Sequence, residues 1–258
     1  MRIVVALKQI PDLVEELELA PGGTDLDREL LKFVLNEFDE QALEEALCIK
    51  ESDGAEVVVV GFDEPDVDQS LFTALAKGAD RAVKLAGAGD GWLDGHSRAA
   101  MLASWLGGEP FDLVLTGVQA ADDLDGQLPS LLGAGIGLPH VSVVMRVEPK
   151  GASVRVWQEF AGGVLAEEDV QVPAVIGVQA ARQAPRYVSI SRIRQAQQEG
   201  TIEEAAVSPP APADGGGYRV RRLLAPESSG HAEMLGGSAA DVAGRIVEII
   251  RAKGLVKA

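Results

Sequence analysis

Asp122, Asp123 and Asp125 crowd into the stretch Leu113-Val-Leu-Thr-Gly-Val-Gln-Ala-Ala-Asp-Asp-Leu-Asp-Gly-Gln-Leu-Pro129. Carboxylates at such spacing can cap a helix or accept hydrogen bonds from ribose hydroxyls. Backbone N–H groups near Gly126, with the amides of Gln119 and Gln127, can face a phosphate. Asp112 to Thr116 reads as a strand buried on both faces, Gly117 ends it, and Asp125 is placed to cap a helix starting near Gly126. Pro129 suits a first helical turn, which needs no internal N–H donors. Leu128, Leu131, Leu132 and Ile136 recur at helical spacing. A strand–loop–helix junction of this kind favours an anion, because free N–H groups and the helix dipole point at it. By itself the loop reads more readily as an ordinary capped turn with solvated acids, since most such loops bind nothing.

No other set of reactive residues competes. The single cysteine, Cys48, allows no disulfide framework and no iron–sulfur ligand set, and it falls in a helical pattern as a small core residue. His96, His140 and His231 are far apart, without a zinc-binding spacing. No Walker A sequence and no nucleophile elbow are present, so neither catalytic nor metal-binding residues are expected. Gly133-Ala-Gly-Ile-Gly137 resembles a dinucleotide fingerprint, but it ends a helix instead of following a strand.

The elements that must position the loop follow from periodicity. Ile3–Leu7, Val57–Val60, Ala82–Leu85 and Leu113–Thr116 read as strands, alternating with helices that begin at Asn36, after Pro65, near Gly95 and near Gly126. Asn36 is the expected N-cap of the first helix, with Asp39 completing a capping box. The order β-α-β-α-β-α-β-α predicts a doubly wound, Rossmann-like parallel sheet. A polar excursion through Pro21-Gly-Gly23 reads as a hairpin. After Pro139 the stretches His140–Val147, Val154–Phe160 and Val164–Val172 alternate apolar and polar residues, which predicts an antiparallel addition. Ala174–Val178 is one further apolar strand. Ser208–Gly217 reads as a tether, and Ser238-x-x-Asp241 caps a last helix with Val242, Ile246, Ile249 and Ile250 on one stripe. The expected division is an α/β nucleotide-binding domain over 1–200, then an extended linker and C-terminal helix over 201–258.

At 258 residues the chain can bury one sizeable α/β core plus an extension. Acids outnumber bases 40 to 23, for a formal charge of −17, which disfavours nucleic acid and anionic membranes as partners. The N-terminal apolar run is too short for a signal peptide and no stretch is long enough for membrane insertion, so a cytoplasmic or equivalent reducing compartment is expected.

Several stretches, in order, resemble the small (beta) subunit of electron-transfer flavoproteins. They are Val4-Val-Ala-Leu-Lys8, Asn36-Glu-Phe-Asp39, Thr73-Ala-Leu-Ala-Lys-Gly-Ala-Asp80, Gly117-Val-Gln-Ala-Ala-Asp-Asp with Gly126-Gln127, and Pro173-Ala-Val with Pro185-Arg-Tyr187. The resemblance implies an electron carrier and not an enzyme, paired with an alpha subunit that carries the FAD. It also implies AMP in the beta subunit's own pocket, or a second FAD there in bifurcating members, and docking to acyl-CoA or other flavin dehydrogenases. Carried over by position, the nucleotide contacts are Ala6, Asn36, Glu37, Phe38, Asp39, Phe62, Gly117, Val118, Gln119, Ala120, Ala121, Asp122, Asp123, Leu124, Asp125, Gly126, Gln127 and Leu128. The docking residues are Pro185, Arg186, Tyr187, Ile190 and Ile193. Asn36-Glu37 stands where the family often has Asn-Pro, Phe62-Asp-Glu-Pro65 where a Gly-Pro is usual, and Ser191-Arg192 where Pro-Asn is frequent. AMP is favoured over FAD because one donor cluster, Gln119, Gln127 and the N–H groups near Gly126, serves a monophosphate. A pyrophosphate would pass Asp122 and Asp123, and Phe62 would narrow the mouth against a flavin ring. A rival from another class is a stand-alone adenine-nucleotide sensor or hydrolase on the same sheet.

Overall fold

The computed structural model describes residues 1–29, 31–87, 93–123, 125–207, 220–225 and 232–255. They fall into two units, Met1–Arg221 and Arg222–Ala258. In the first unit the elements run β1 (Arg2–Leu7), β2 (Gln9–Pro11), β3 (Phe33–Leu35), α1 (Glu37–Asp53), β4 (Glu56–Phe62), α2 (Val67–Lys77), β5 (Arg81–Ala86), α3 (Gly95–Leu106) and β6 (Leu113–Gly117). They continue with α4 (Leu128–Ile136), β7 (His140–Lys150), β8 (Ser153–Phe160), β9 (Val164–Gln171), β10 (Ala174–Val178), α5 (Ile190–Glu199) and β11 (Ile202–Ala206); the second unit contains α6 (Ala239–Ala252).

Nine strands form one sheet in the order β11-β5-β4-β1-β6-β10-β7-β8-β9. Every pair from β11 to β7 is parallel, and β8 and β9 extend the sheet antiparallel. The central strand shows why helices are needed on both faces. Along β1, Ile3, Val5 and Leu7 join Leu43 and Leu47 of α1 and Leu71 of α2 in one core layer. Val4 and Ala6 join Met101, Leu102 and Trp105 of α3 and Leu132 of α4 in the other. A strand with two buried faces cannot afford a polar side, so its sequence is a continuous apolar run. The architecture is the doubly wound sheet with an antiparallel addition that the sequence predicts.

Two local expectations change. Helix α4 begins at Leu128 with Gln127 in the cap position, so Asp125 does not cap it; Pro129 does lie in the first turn. The excursion after β1 is closed by β2 pairing with β3, and within it an antiparallel bridge joins Leu19 to Leu26 across Pro21-Gly-Gly23, as the expected hairpin requires. Residues 202–206, expected in an extended linker, form the edge strand β11 along β5. The expected tether, 208–217, lies outside the described residues.

In the second unit, α6 carries the expected capping box. Ser238 Oγ accepts from Asp241 N at 3.3 Å, and Asp241 Oδ2 accepts from Ser238 N at 3.0 Å. In its apolar stripe Ile246 is 45 % and Ile249 41 % exposed, whereas Val242 and Ile250 are half-buried. Among the described residues no helix is long and apolar enough to cross a membrane.

Candidate nucleotide site and docking segment

The order of the sheet reverses between β1 and β6, and open α/β sheets hold ligands beyond the strand ends at such a point. Asp39, in the first turn of α1, ties the two ends together. Its Oδ2 accepts from Lys8 N at 2.9 Å and its Oδ1 from Gly117 N at 2.8 Å. The residue is 4 % exposed. Burial raises its pKa to about 6, against the opposing hydrogen bonds from Gly117, Asn36 and Lys8.

Asn36 does stand at the N-cap of α1, yet its side chain makes no cap bond. Its Nδ2 donates to Gln119 O at 2.9 Å, reaching the loop after β6. The anticipated capping box is therefore absent. Both side chains instead bind backbone at the strand ends, because α1 begins directly over the β1–β6 junction. Gly117 makes that approach feasible: a Cβ there would lie 2.6 Å from Asp39 Oδ1 and 2.7 Å from Phe38 Cβ.

The three acids of the loop differ in their surroundings. Lys8 Nζ donates to Asp122 Oδ1 at 2.5 Å, with both side chains largely buried. Asp123 is buried, and its N donates to Ala120 O at 3.0 Å in a tight turn. Asp125 alone of the three is exposed. The loop returns through Gly126, whose φ is +59° and whose hypothetical Cβ would sit 2.9 Å from Val118 O.

Beside this loop lies a cavity of about 400 Å³ lined by Phe38, Val118, Gln119, Asp125, Gly126, Ser142, Val143 and Gln179. That volume is within the range of small-ligand sites. Five of its residues are among those carried over from the family resemblance. Ser142, Val143 and Gln179 are not; they come from β7 and the end of β10. Val143 has φ +63°, unusual for a β-branched residue, at an irregularity in the β7 register. Gln179 donates through Nε2 to Glu159 Oε2 at 2.7 Å. The position of Gln179, just past the carboxyl end of an apolar strand, was a usable sequence signal. For Ser142 and Val143 there was none.

Other expected contacts are placed elsewhere. Ala6 is inside β1, in the core. Phe62 does not narrow any mouth: it is 1 % exposed in the same core layer, with the Arg98 guanidinium 4.8 Å from its ring centre. Ala120 is buried, Leu128 half-buried, and Glu37 and Ala121 are exposed. Gln127 opens onto a different, shallow groove of about 600 Å³ along α4, with Ser130, Leu131, Ala134, Gly135 and His140. Gln119 and Gln127 thus line two different depressions. Leu124 lies outside the described residues. Cys48 is buried, and burial together with Glu44 and Glu45 pushes its thiol up to about 11, so it is a core residue.

In the expected docking segment, Tyr187 is 86 % and Ile190 64 % exposed, whereas Pro185 and Ile193 are half-buried. Arg186 is half-buried and drawn onto α1. Its Nη2 bonds Glu44 Oε1 at 2.9 Å and its Nη1 bonds Glu51 Oε1 at 2.5 Å.

Comparison with known proteins bears on this arrangement. Residues 25–210 match the family described as Electron transfer flavoprotein domain. The chain is 34 % identical to the electron transfer flavoprotein subunit beta of Methylophilus methylotrophus, covering 97 % of this chain and 98 % of that protein. It is 34 % identical to the protein of the same name from Syntrophomonas wolfei subsp. wolfei, over 81 % of each. It is also 33 % identical to the caffeyl-CoA reductase-Etf complex subunit CarD of Acetobacterium woodii, over 99 % of this chain and the whole of that protein.

Proposed function

This chain belongs to the electron transfer flavoprotein family as a beta subunit, and on that premise we propose that it holds AMP beside the β6–α4 loop and pairs with an FAD-bearing alpha subunit. The assembled carrier takes electrons from acyl-CoA or other flavin dehydrogenases, which dock at 185–193, and passes them to a respiratory acceptor in the cytoplasm. The observation that supports a nucleotide here is the cavity of about 400 Å³ built on the Val118–Gly126 turn at the carboxyl end of the sheet.

Within it, Phe38, Val118 and Val143 offer apolar walls to a ring, and the Gln119 and Gln179 amides offer both donors and acceptors. The pairing of Lys8 with Asp122 removes one negative charge from the path of a phosphate. The remaining nucleotide contacts, Asn36–Asp39 and Gly117–Leu128, are proposed to act mostly through backbone. Asp39 and Asn36 shape the site from beneath, since their side-chain atoms already bind backbone.

AMP is proposed over a second FAD because a monophosphate asks for fewer donors beside this acidic loop than a pyrophosphate would; Phe62, buried in the core, plays no part in the choice. Denaturing the purified heterodimer and identifying the released nucleotides by mass spectrometry tests it. One FAD and one AMP per heterodimer is the expected result; two FAD and no AMP would place this chain with the bifurcating type. ATP hydrolysis by the purified chain, lost on altering Asp122 or Gln127, would favour the stand-alone hydrolase.

A further inference from the structure

Two of the most deeply buried acids in the chain, Glu44 and Glu45, stand side by side in the middle of α1. Ionised groups inside a protein require partners, and apart from one bond from Val147 of β7 theirs come from one irregular segment about 140 positions further along the chain. Glu45 Oε2 accepts from Arg182 N at 2.9 Å, while Glu45 Oε1 accepts from Arg182 Nη2 at 2.9 Å and from Val147 N at 2.7 Å. Glu44 Oε2 accepts from Arg186 N at 2.9 Å, and Glu44 Oε1 from Gln183 Nε2 at 2.6 Å and Arg186 Nη2 at 2.9 Å. One turn earlier, Gln41 Oε1 accepts from Ala181 N at 3.0 Å; two turns after Glu44, Glu51 takes the other end of Arg186.

The pattern is unlike a simple ion pair. Three backbone N–H groups, those of Ala181, Arg182 and Arg186, are bound to side chains of one helical face. A segment without regular structure has no ladder to satisfy such groups, so α1 supplies the acceptors. The segment's backbone path is fixed as well as its side chains. One residue past the last of these contacts the chain exposes Tyr187, buries Val188 and exposes Ile190 at the start of α5.

We propose that Glu44 and Glu45 are positioning residues for partner docking: they hold 181–186 against α1 so that Tyr187 and Ile190 are presented in a fixed geometry. This rests on the reading of 185–193 as the docking segment. Exposed apolar anchors bind best when their conformation is set beforehand, because less freedom is lost on association. Both glutamates are buried under the segment, so in this proposal they act on the partner through it.

The test uses the whole heterodimer with an acyl-CoA dehydrogenase and its acyl-CoA substrate, following reduction of the carrier flavin. Glu44→Gln, Glu45→Gln, Arg186→Gln and Arg186→Lys are compared with the parent. Arg186→Gln acts from the solvent side and covers the case in which a glutamate variant does not fold. The expected result is a KM for the heterodimer raised about tenfold with kcat nearly unchanged, and an intermediate KM for Arg186→Lys, which keeps the charge but loses the fork. In parallel, Ser191→Cys carries a fluorophore; Cys48, buried and with its thiol pushed up to about 11, stays unlabelled. Label anisotropy is expected to fall in the glutamine variants. A lowered melting temperature with KM and anisotropy both unchanged would show a purely structural role and overturn the proposal. Failure of the parent heterodimer to accept electrons from any acyl-CoA dehydrogenase would instead overturn the docking reading, and the proposal with it.

Discussion

Asp39 is the residue on which the geometry of the site depends most, because one carboxylate joins the ends of β1 and β6. Its folded pKa, about 6, lies above the value of 3.8 for an unperturbed aspartate. The folded state therefore holds this proton more tightly than the unfolded chain. The associated stability is fully present below about pH 4 and is lost as pH rises through about 6. Glu44 acts in the opposite sense: burial pushes it up, but hydrogen bonds from Arg186 and Gln183 outweigh this and hold it below the usual range, so its contribution is lost as pH falls. Comparing the parent with Asp39→Asn separates the two. The variant keeps one acceptor and turns an amide N–H₂ towards a backbone donor, which costs about 1–3 kcal/mol at any pH. On top of that, the stability gap between parent and variant should be wider at pH 4.5 than at pH 7.5 in urea titrations; an unchanging gap would refute the raised pKa. Gly126 gives a second prediction. With φ at +59° and Val118 O 2.9 Å from a would-be Cβ, Gly126→Ala should cost about 1–2 kcal/mol in thermal unfolding and reduce the AMP retained on purification. Unchanged stability together with unchanged AMP would mean that the turn relaxes freely.

Elements were legible in the sequence wherever their own residues carry the signal. Strands β1, β4, β6 and β10 are continuous apolar runs because both faces are covered, and α6 announces itself through Ser238 and Asp241. The β6–α4 loop was legible for the same reason, as its strand, glycine and helix are consecutive. What could not be read depends on partners distant in the chain. Strand β11, Ile202-Glu-Glu-Ala-Ala206, looks like a solvated linker until Arg81 is seen to bind Glu203 at 2.7 and 2.9 Å and Lys84 to pair with Glu204 at 3.2 Å. That Arg186 is tied to Glu44 could not be read either, since the two are 142 positions apart. Ser142 and Val143 meet the β6–α4 loop only after β10 has been inserted between β6 and β7. The edge strand supplies an element-scale prediction. Exposed ion pairs contribute little to global stability, about 0–1 kcal/mol, so Arg81→Met should barely move the melting temperature. Local opening of an edge strand is another matter, and amides of 202–206 should exchange with deuterium distinctly faster in the variant. Equal exchange would show that backbone pairing with β5 suffices.

At the scale of the whole molecule, the chain comprises a folded sheet unit and a second unit that contains a capped, one-sided helix. The sequence stripe Val242, Ile246, Ile249 and Ile250 was expected to cover a surface, either the chain's own core or the partner subunit. In the chain alone, Ile246 and Ile249 are 45 % and 41 % exposed, so a charge placed there has water to face and should be tolerated. A helix with a complete capping box has its first turn secured without that stripe. The stripe is therefore proposed to serve association with the alpha subunit, and the arm carrying it to be the part of this chain that wraps its partner. Ile246→Asp separates the possibilities. The isolated chain should melt at the same temperature as the parent. In the heterodimer, however, a carboxylate would have to be desolvated against apolar groups, which costs at least ~2 kcal/mol and corresponds to a loss in affinity of about 30-fold. Analytical ultracentrifugation of the co-expressed subunits across a dilution series reads this directly. A destabilised isolated chain would return the helix to its own core, and an unchanged heterodimer affinity would leave it a free tail.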